Sequence, residues 1–222
     1  MTAGAGGGVG DGNGDDWPGD WRFLRARITE TIATTRPATD PDDEGDASGD
    51  PAVNVAPMGL VSEPGEPDAV ARLWAGSDTL ANVRATGRVT VNFTRDPLVY
   101  ARAALSDDTG AFVADGRLDD PDAWVDCDAV HAGEERGGEV ERWRLEPRDG
   151  ALLERRLCQV DRGFGALVDA CVDATRLHVD PALDERIAER LSLAWRCGDD
   201  RCREAATYVS NFTDISFRKK DS

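Results

Sequence analysis

Residues 88–95 read R-V-T-V-N-F-T-R, and this stretch decides the fold class. Its valines and phenylalanine alternate with threonine and asparagine, so one face of the segment is apolar and the other polar. Strict alternation predicts a half-buried β-strand. The D-P pair at 96–97 ends the strand, and we expect a short helix over 97–105.

The residues before this strand predict a helix and three further strands. Ser77 or Asp78 is a suitable N-cap, and Gly87 lies at the position where helices commonly end. Strand-forming residues recur over 21–35, 52–61 and 69–74, and we interpret these as an antiparallel meander. Residues 36–51, rich in Pro, Asp and Gly, form a loop.

The residues after it predict strands and then helices. We expect strands at 111–114 and 139–145, whereas the acidic segment 115–138 shows no assignable pattern. Apolar residues then recur at helical spacing, first from Phe164 and again from Leu183, and a third short helix is expected over 202–209. Strands followed by helices indicate an α+β fold that is mainly β. We expect a disordered tail over 1–20, a barrel over 21–160 and a helical part over 161–217.

Charge excludes one class of partner. The formal net charge is −17, with 43 acidic residues against 26 basic ones, and such a surface repels the phosphates of nucleic acids. Arg far exceeds Lys, which favours a cytosol at high salt, although a GC-rich genome explains the same bias. No stretch approaches the ~20 apolar residues of a membrane-spanning helix, so we expect no membrane. Without a secretory signal at the N-terminus, we expect a cytoplasmic protein.

The five cysteines are odd in number and irregular in spacing. No C-x-x-C pair is present, and the pattern favours free thiols in a reducing compartment over a disulfide framework. His131 and His178 are the two histidines, far apart, and no cluster has the spacing of metal ligands, so no metal is expected. No motif of nucleophilic catalysis or of phosphate-binding loops is visible, so the catalytic residues are unknown.

The first candidate site is Asn54–Gly59, N-V-A-P-M-G. Proline gives a ladder no N–H, so strand pairing is expected to stop here. Ala and Gly would let a flat ring lie close to the backbone, and Asn54 offers a donor and acceptors to the edge of a heterocycle. The alternative is a strand that merely bends at its end.

The second candidate is the start of the helix, Gly76–Thr79, with Asn82 one turn later. A helix N-terminus presents unpaired N–H groups and a partial positive charge, and neighbouring hydroxyls complete an anion site that suits a phosphate. Arg84 or Arg88 could add a cation. The alternative is that Ser77 or Asp78 only caps the helix.

Five segments taken in order resemble a mostly archaeal family of small flavoproteins of unknown function, related to flavin reductase-like and pyridoxamine-phosphate-oxidase-like split barrels. The segments are I-T-E-T-I-A-T-T (28–35), N-V-A-P-M-G-L (54–60), L-W-A-G-S-D-T-L-A-N-V (73–83), G-R-V-T-V-N-F-T-R-D-P (87–97) and D-A-C-V-D-A-T-R-L (169–177). The resemblance covers roughly residues 21–215.

The resemblance implies a six-stranded antiparallel split β-barrel with flanking C-terminal helices, and FMN at a homodimer interface. It places one stretch along the flavin ring and another at the phosphate, with two further residues near the cofactor. The ring stretch is Asn54, Ala56, Pro57, Met58 and Gly59; the phosphate stretch is Ser77, Thr79 and Asn82; the further residues are Asn92 and Arg176.

Three functions remain open on this evidence, and one of them is an acidic interaction module without a cofactor, in which both candidate sites are structural. An FMN-dependent oxidoreductase of flavin reductase type needs few protein acid–base groups, because the flavin carries the chemistry. The alternative is a non-catalytic FMN-binding or flavin-delivery protein. The electron donor is unknown, and so is the arginine that neutralises the phosphate.

Overall fold

The computed structural model describes residues 19–24, 26–38, 53–62, 65–106, 113–153, 161–180 and 182–219. The described elements, in chain order, are β1 (Ile28–Thr35), β2 (Asn54–Val61), β3 (Ala69–Trp74), α1 (Asp78–Thr86), β4 (Arg88–Phe93), α2 (Pro97–Leu105), β5 (Val113–Ala114), β6 (Arg117–Leu118), β7 (Ala123–Glu135), β8 (Val140–Leu152), α3 (Arg162–Ala174), α4 (Leu183–Cys197) and α5 (Asp200–Thr213). The expected tail over residues 1–20 lies almost wholly outside these ranges, as does most of the expected loop over 36–51.

The predicted six-stranded antiparallel barrel is confirmed. Its strands run in the order β1-β2-β3-β8-β7-β4 and close on themselves, while β5 and β6 form a separate two-stranded hairpin. The first three strands are neighbours, as the meander interpretation required. Helices α3, α4 and α5 follow the strands, which is the predicted α+β order.

The segment 115–138, which we could not assign, contains the long strand β7. Ala123, Val125 and Cys127 point inward, while Asp126 and Asp128 alternate with them at the surface. The alternation is real, but irregularities between Asp126 and Cys127 and between His131 and Gly133 shift the register. A bulge adds one residue to a strand and so breaks the period on which the prediction depends.

Three other strand predictions need correction. The strand expected over 139–145 runs on to Leu152, and 113–114 belongs to the small hairpin rather than to the barrel. The first strand begins at Ile28 rather than at residue 21. Trp21 instead fills the barrel interior, where it is fully buried and its indole N–H donates to the Leu145 carbonyl at 2.8 Å.

Two apolar cores organise the molecule. The first fills the barrel, and α1 closes one end of it by inserting Leu80 and Val83. The second lies outside the barrel wall, between α2–α5 and the outer face of β1 and β2, where Ile32 and Val55 contact the helices. The third C-terminal helix, expected to be short, is 14 residues long. The proposed division at residues 160 and 161 stays a prediction.

Strand β2 has one paired edge and one edge that is largely open. Its ladder with β1 is continuous from Asn54 to Val61 and passes through Pro57, so the expectation that pairing stops at Pro57 is wrong for this edge. Alternate residues of an antiparallel strand turn their N–H away from the partner, which lets a proline take part. On the other edge, β3 pairs only with Leu60 and Val61. Within the described chain, the edge of 54–59 has no strand partner.

Candidate functional site

Four polar side chains meet where β1 ends, β2 begins and α1 starts, and we call them the Asn–Thr cluster: Thr35, Asn54, Thr79 and Asn82. The Asn54 amide donates to the Thr35 hydroxyl oxygen at 3.1 Å and to the Thr79 hydroxyl oxygen at 2.9 Å. The Asn82 amide donates to Thr35 as well, at 3.1 Å. Thr35 and Thr79 are only 3% and 6% exposed.

This pattern limits the directions in which both threonine hydroxyls can donate. Each oxygen is used as an acceptor of amide N–H groups, so each hydroxyl hydrogen points elsewhere. No described residue accepts either hydrogen. Both hydroxyls can therefore donate to a ligand, and the cluster suits a ligand that brings acceptors. The backbone N–H groups of Asp78 and Thr79, at the first turn of α1, likewise have no acceptor among the described residues.

Ser77 caps helix α1, as the alternative interpretation of this residue predicted. It is the N-cap of α1: its hydroxyl accepts from the Leu80 N–H at 3.2 Å and donates to the Trp74 carbonyl at 2.8 Å. The hydroxyl is therefore engaged within the protein on both sides. Thr79, two residues further, is the one whose hydrogen stays unpaired.

The predicted ring stretch follows the open edge of β2. Ala56 and Pro57 are half-buried and line a cavity of about 760 Å³ outside the barrel wall. The Met58 side chain is 4% exposed and fills the barrel interior, so only its backbone faces outward. A Cβ on Gly59 would lie 3.5 Å from the Ile28 side chain, which is ordinary contact, so space alone does not demand glycine there.

Asn92 lies on the opposite face of the wall from the Asn–Thr cluster. Asn92 pairs across the strands with Ile32, and both side chains face the helices. Successive side chains of a strand alternate between its two faces, so Thr35, three residues after Ile32, faces the other side. Its amide donates to the Ile32 carbonyl at 3.1 Å, and its oxygen accepts from the Leu118 N–H at 3.1 Å. With 0% exposure and both ends bonded, Asn92 joins β1, β4 and the hairpin.

The arginines considered as phosphate partners lie in different places. Arg176 is exposed at the end of α3, and no described contact joins it to the Asn–Thr cluster. Arg84 bonds the buried carboxylate of Glu141. Arg88 contacts Asp128 through its Nε at 3.2 Å and lines a cavity of about 560 Å³ that Thr35 also borders. Of these three arginines, Arg88 is the one that shares a cavity with a member of the Asn–Thr cluster.

Thr35 is the site residue that sequence reasoning missed. Residues 31–35 are predicted only as part of a strand. A usable signal existed, because a β1–β2 hairpin pairing that begins at Asn54 sets Thr35 directly opposite that residue.

The described residues offer little other chemistry. No three His, Cys, Asp or Glu side chains among them come together as metal ligands. Burial raises the pKa of the Cys171 and Cys202 thiols to about 12, and it raises the pKa of Cys127 too, so these thiols stay protonated at neutral pH. No described helix is long and apolar enough to cross a membrane.

Two family models match the chain, one over residues 47–153 and one over 161–210. They are the N-terminal domain and the second part of the protein family of unknown function DUF447. The chain belongs to this family. The resemblance drawn from the five segments therefore holds at the level of the family.

Among solved structures, an FMN-bound DUF447 protein from Methanosarcina mazei is 27% identical, with a TM-score of 0.69. The match covers 85% of this chain and 96% of that one. A candidate flavin reductase with a split-barrel domain from Shewanella frigidimarina is 12% identical at a TM-score of 0.42, covering 60% of this chain and 71% of that one. The styrene monooxygenase flavin reductase of Pseudomonas putida is 16% identical at 0.40, covering 56% and 82%. The last two similarities are too weak to inform function.

Proposed function

We propose that this DUF447 chain binds FMN, with the phosphate at the Asn–Thr cluster and the ring system along the open edge of β2. The observation that carries the proposal is the pair of buried threonine hydroxyls, whose oxygens accept from two asparagine amides, so that their hydrogens are available to donate to a ligand. The FMN-bound relative from Methanosarcina mazei, which this chain matches over most of its length, supports the choice of ligand.

A phosphate has the chemistry that the cluster lacks. Its oxygens only accept hydrogen bonds at neutral pH, while Thr35 and Thr79 have hydroxyl hydrogens to donate. The first-turn N–H groups of α1 and the helix dipole favour an anion at the same place. Arg88, which lines the neighbouring cavity, adds a cation there.

The open edge of β2 suits the flavin ring. Backbone N–H and C=O groups of an unpaired strand can bond the polar rim of a heterocycle, which presents both donors and acceptors. Ala56 and Gly59 have little or no side chain, so a ring can approach the strand closely. Asn54 and Pro57 are about 10 Å apart at the rise of a strand, so phosphate and ring are served by one continuous element.

The refined site differs from the sequence-based one. Thr35 is added, Met58 contributes through its backbone, and Ser77 supports the site by capping α1. Asn92 and Arg176 are left out of direct contact with the cofactor.

The direct test is to titrate flavin-free protein with FMN and with riboflavin and to measure both affinities by calorimetry. We expect a yellow purified protein, and FMN affinity at least ~10-fold above that of riboflavin, because one hydrogen bond to a charged group contributes about 1.5–3 kcal/mol. Equal affinity for the two flavins would remove the phosphate site, and no affinity for either would remove the proposal.

The finer proposal is that the bound FMN turns over as in an FMN-dependent oxidoreductase of flavin reductase type. The protein needs only to position the flavin, so the scarcity of acid–base residues does not oppose it. The alternative is a non-catalytic FMN-binding or delivery protein. Anaerobic loss of the visible flavin absorbance on adding NADPH or NADH, and its return with air, would support the enzyme; an unreactive flavin would support the alternative.

Three further properties belong to the proposal: a homodimer, adaptation to high salt and a cytoplasmic location. Light scattering in molar KCl with FMN present tests the first, and a strictly monomeric mass contradicts it. The net charge of −17 supports adaptation to high salt, because the excess carboxylates repel one another when salt is removed. The Debye length grows from ~3 Å at 1 M to ~30 Å at 0.01 M salt, so dilute salt leaves this repulsion unscreened. A melting temperature that is the same in molar and in dilute salt would contradict adaptation.

A further inference from the structure

The cavity of about 560 Å³ adjoins the Asn–Thr cluster, and we call it the arginine cavity. Thr35 belongs to both, because its hydroxyl accepts from the cluster amides and the residue also lines the cavity. Among the described lining residues, arginines outnumber carboxylates four to three, although the whole chain has a net charge of −17. The four arginines come from four different segments of the chain and are Arg36, Arg88, Arg117 and Arg148.

Two of these arginines share one carboxylate. Arg88 and Arg148 contact Asp128 through their Nε atoms, at 3.2 Å and 3.6 Å. Each guanidinium has five N–H donors, whereas one carboxylate offers about four acceptor sites, so Asp128 cannot satisfy both side chains. A further anion can therefore accept from the same pair, and the planar fork of a guanidinium matches a phosphate.

The other two arginines lie against rigid neighbours. Arg117 pairs with Asp126 at 2.5 Å, and its Cζ lies 3.4 Å from the centre of the Trp124 ring. Arg36 lies against the backbone of Gly116, where a Cβ would come within 2.9 Å of its terminal nitrogen. Guanidinium planes stack on flat rings, including nucleic acid bases, so this side of the cavity suits a purine.

Helix α1 separates the arginine cavity from the proposed site of the flavin phosphate. Thr79 and Thr86 are seven residues apart on this helix, which is about 10 Å at a rise of 1.5 Å per residue. Thr79 belongs to the Asn–Thr cluster, whereas Thr86 lines the arginine cavity. A ligand that continues beyond its first phosphate can therefore occupy both places.

We infer that the flavin site also accepts flavin adenine dinucleotide (FAD), with the second phosphate on Arg88 and Arg148 and the adenosine in the arginine cavity. FAD is FMN whose phosphate is joined to a second phosphate and an adenosine. The volume of the cavity lies in the range of ligand pockets, about 300–1,000 Å³, and exceeds what a lone phosphate fills. The inference rests on the proposed function, which places the first phosphate at the Asn–Thr cluster.

Calorimetry of flavin-free protein with FAD and with FMN tests the inference. The Debye length is ~3 Å in 1 M KCl, so direct contacts dominate the affinities at this salt. We expect FAD to bind at least as tightly as FMN. Weaker binding of FAD than of FMN would overturn the inference and leave the proposed function intact, whereas no binding of either flavin would overturn both. ADP that binds to FMN-loaded protein, with FAD the weaker flavin, would assign the cavity to a separate nucleotide.

Arg148→Gln separates the second phosphate from the first. We expect this change to weaken FAD at least ~10-fold, because it removes hydrogen bonds to a charged group, and to leave FMN within about twofold. Arg144→Gln is the matched control, because Arg144 lies on the same strand outside the described lining and its side chain is 46% exposed, as is that of Arg148. The control should change neither flavin. FAD affinity that survives Arg148→Gln, or that falls equally in the control, contradicts the assignment.

Discussion

The Asn54 side-chain amide donates to the Thr79 hydroxyl oxygen at 2.9 Å, across the gap between strand β2 and helix α1. The same amide donates to Thr35 at the end of β1. One asparagine therefore ties three elements together and limits the directions in which two hydroxyls can donate. This is the local geometry from which the proposed phosphate site follows.

Asn54→Asp tests that direction with an isosteric change. A carboxylate only accepts, so the Thr35 and Thr79 hydroxyls would turn inward to donate to it, and its charge would repel a phosphate. We expect FMN affinity to fall by at least ~10-fold and riboflavin affinity to change far less. Asn211→Asp, at an exposed position of α5, is the matched control. Unchanged FMN binding in the Asn54 variant would contradict the hydroxyl orientation.

Asn92 should behave as a structural residue. Asn92→Ala leaves the Leu118 N–H without its acceptor and removes a donor to the Ile32 carbonyl, so we expect a loss of about 1–3 kcal/mol in the free energy of unfolding. Urea denaturation measures the loss. The ratio of FMN to riboflavin affinity should stay the same, and a lower ratio in a protein of full stability would return Asn92 to the cofactor site.

The fold was predictable where the period of the sequence is regular. The clean alternation of residues 88–95 and the helical spacing after Phe164 gave the correct element types. Strand β7 was not predicted, because two irregularities shift its period and because acidic residues occupy its outer face. The burial of Trp21 in the barrel was not predicted for another reason. No neighbouring residue distinguishes a tryptophan that enters the barrel from one in a tail.

The sequence predicts which segments contribute to the candidate site, but it does not predict their individual contacts. Residues 54–59 and 77–82 do come together, but which hydroxyl is used by the protein depends on neighbours in space. Ser77 turned to the helix backbone, while Thr79 met an amide from a strand 25 residues earlier. Thr35 entered the site through strand register, which composition does not reveal.

Glu141 makes stability depend on acid. The hydrogen bond from Arg84 holds the pKa of this 4%-exposed carboxylate below its ordinary value, against the opposing effect of burial. A folded pKa below the unfolded one stabilises the protein fully above the unfolded value, ~4.3, and this contribution is lost as the pH falls through the folded value. We expect the stability gap between wild type and Glu141→Gln to be largest near pH 7 and to shrink below about pH 4. A constant gap in urea unfolding between these pH values would contradict the coupling.

The described thiols should differ in reactivity. Cys127, Cys171 and Cys202 are buried and burial raises the pKa of each, whereas Cys197 is exposed. We expect iodoacetamide at neutral pH to label Cys197 long before the other three, because the thiolate is the nucleophile. Peptide mass mapping over time checks the order. Early labelling of Cys171 or Cys202 would show that the helical layer opens.

The central claim is that Thr79 donates to the FMN phosphate while Ser77 only caps α1. Titrating Thr79→Val and Ser77→Ala with both FMN and riboflavin tests this claim most directly. We expect Thr79→Val to weaken FMN by at least ~10-fold and to leave riboflavin within about twofold. Ser77→Ala should cost about 1 kcal/mol of stability and affect the two flavins alike. Equal weakening of both flavins by Thr79→Val, or none of either, would contradict the phosphate site.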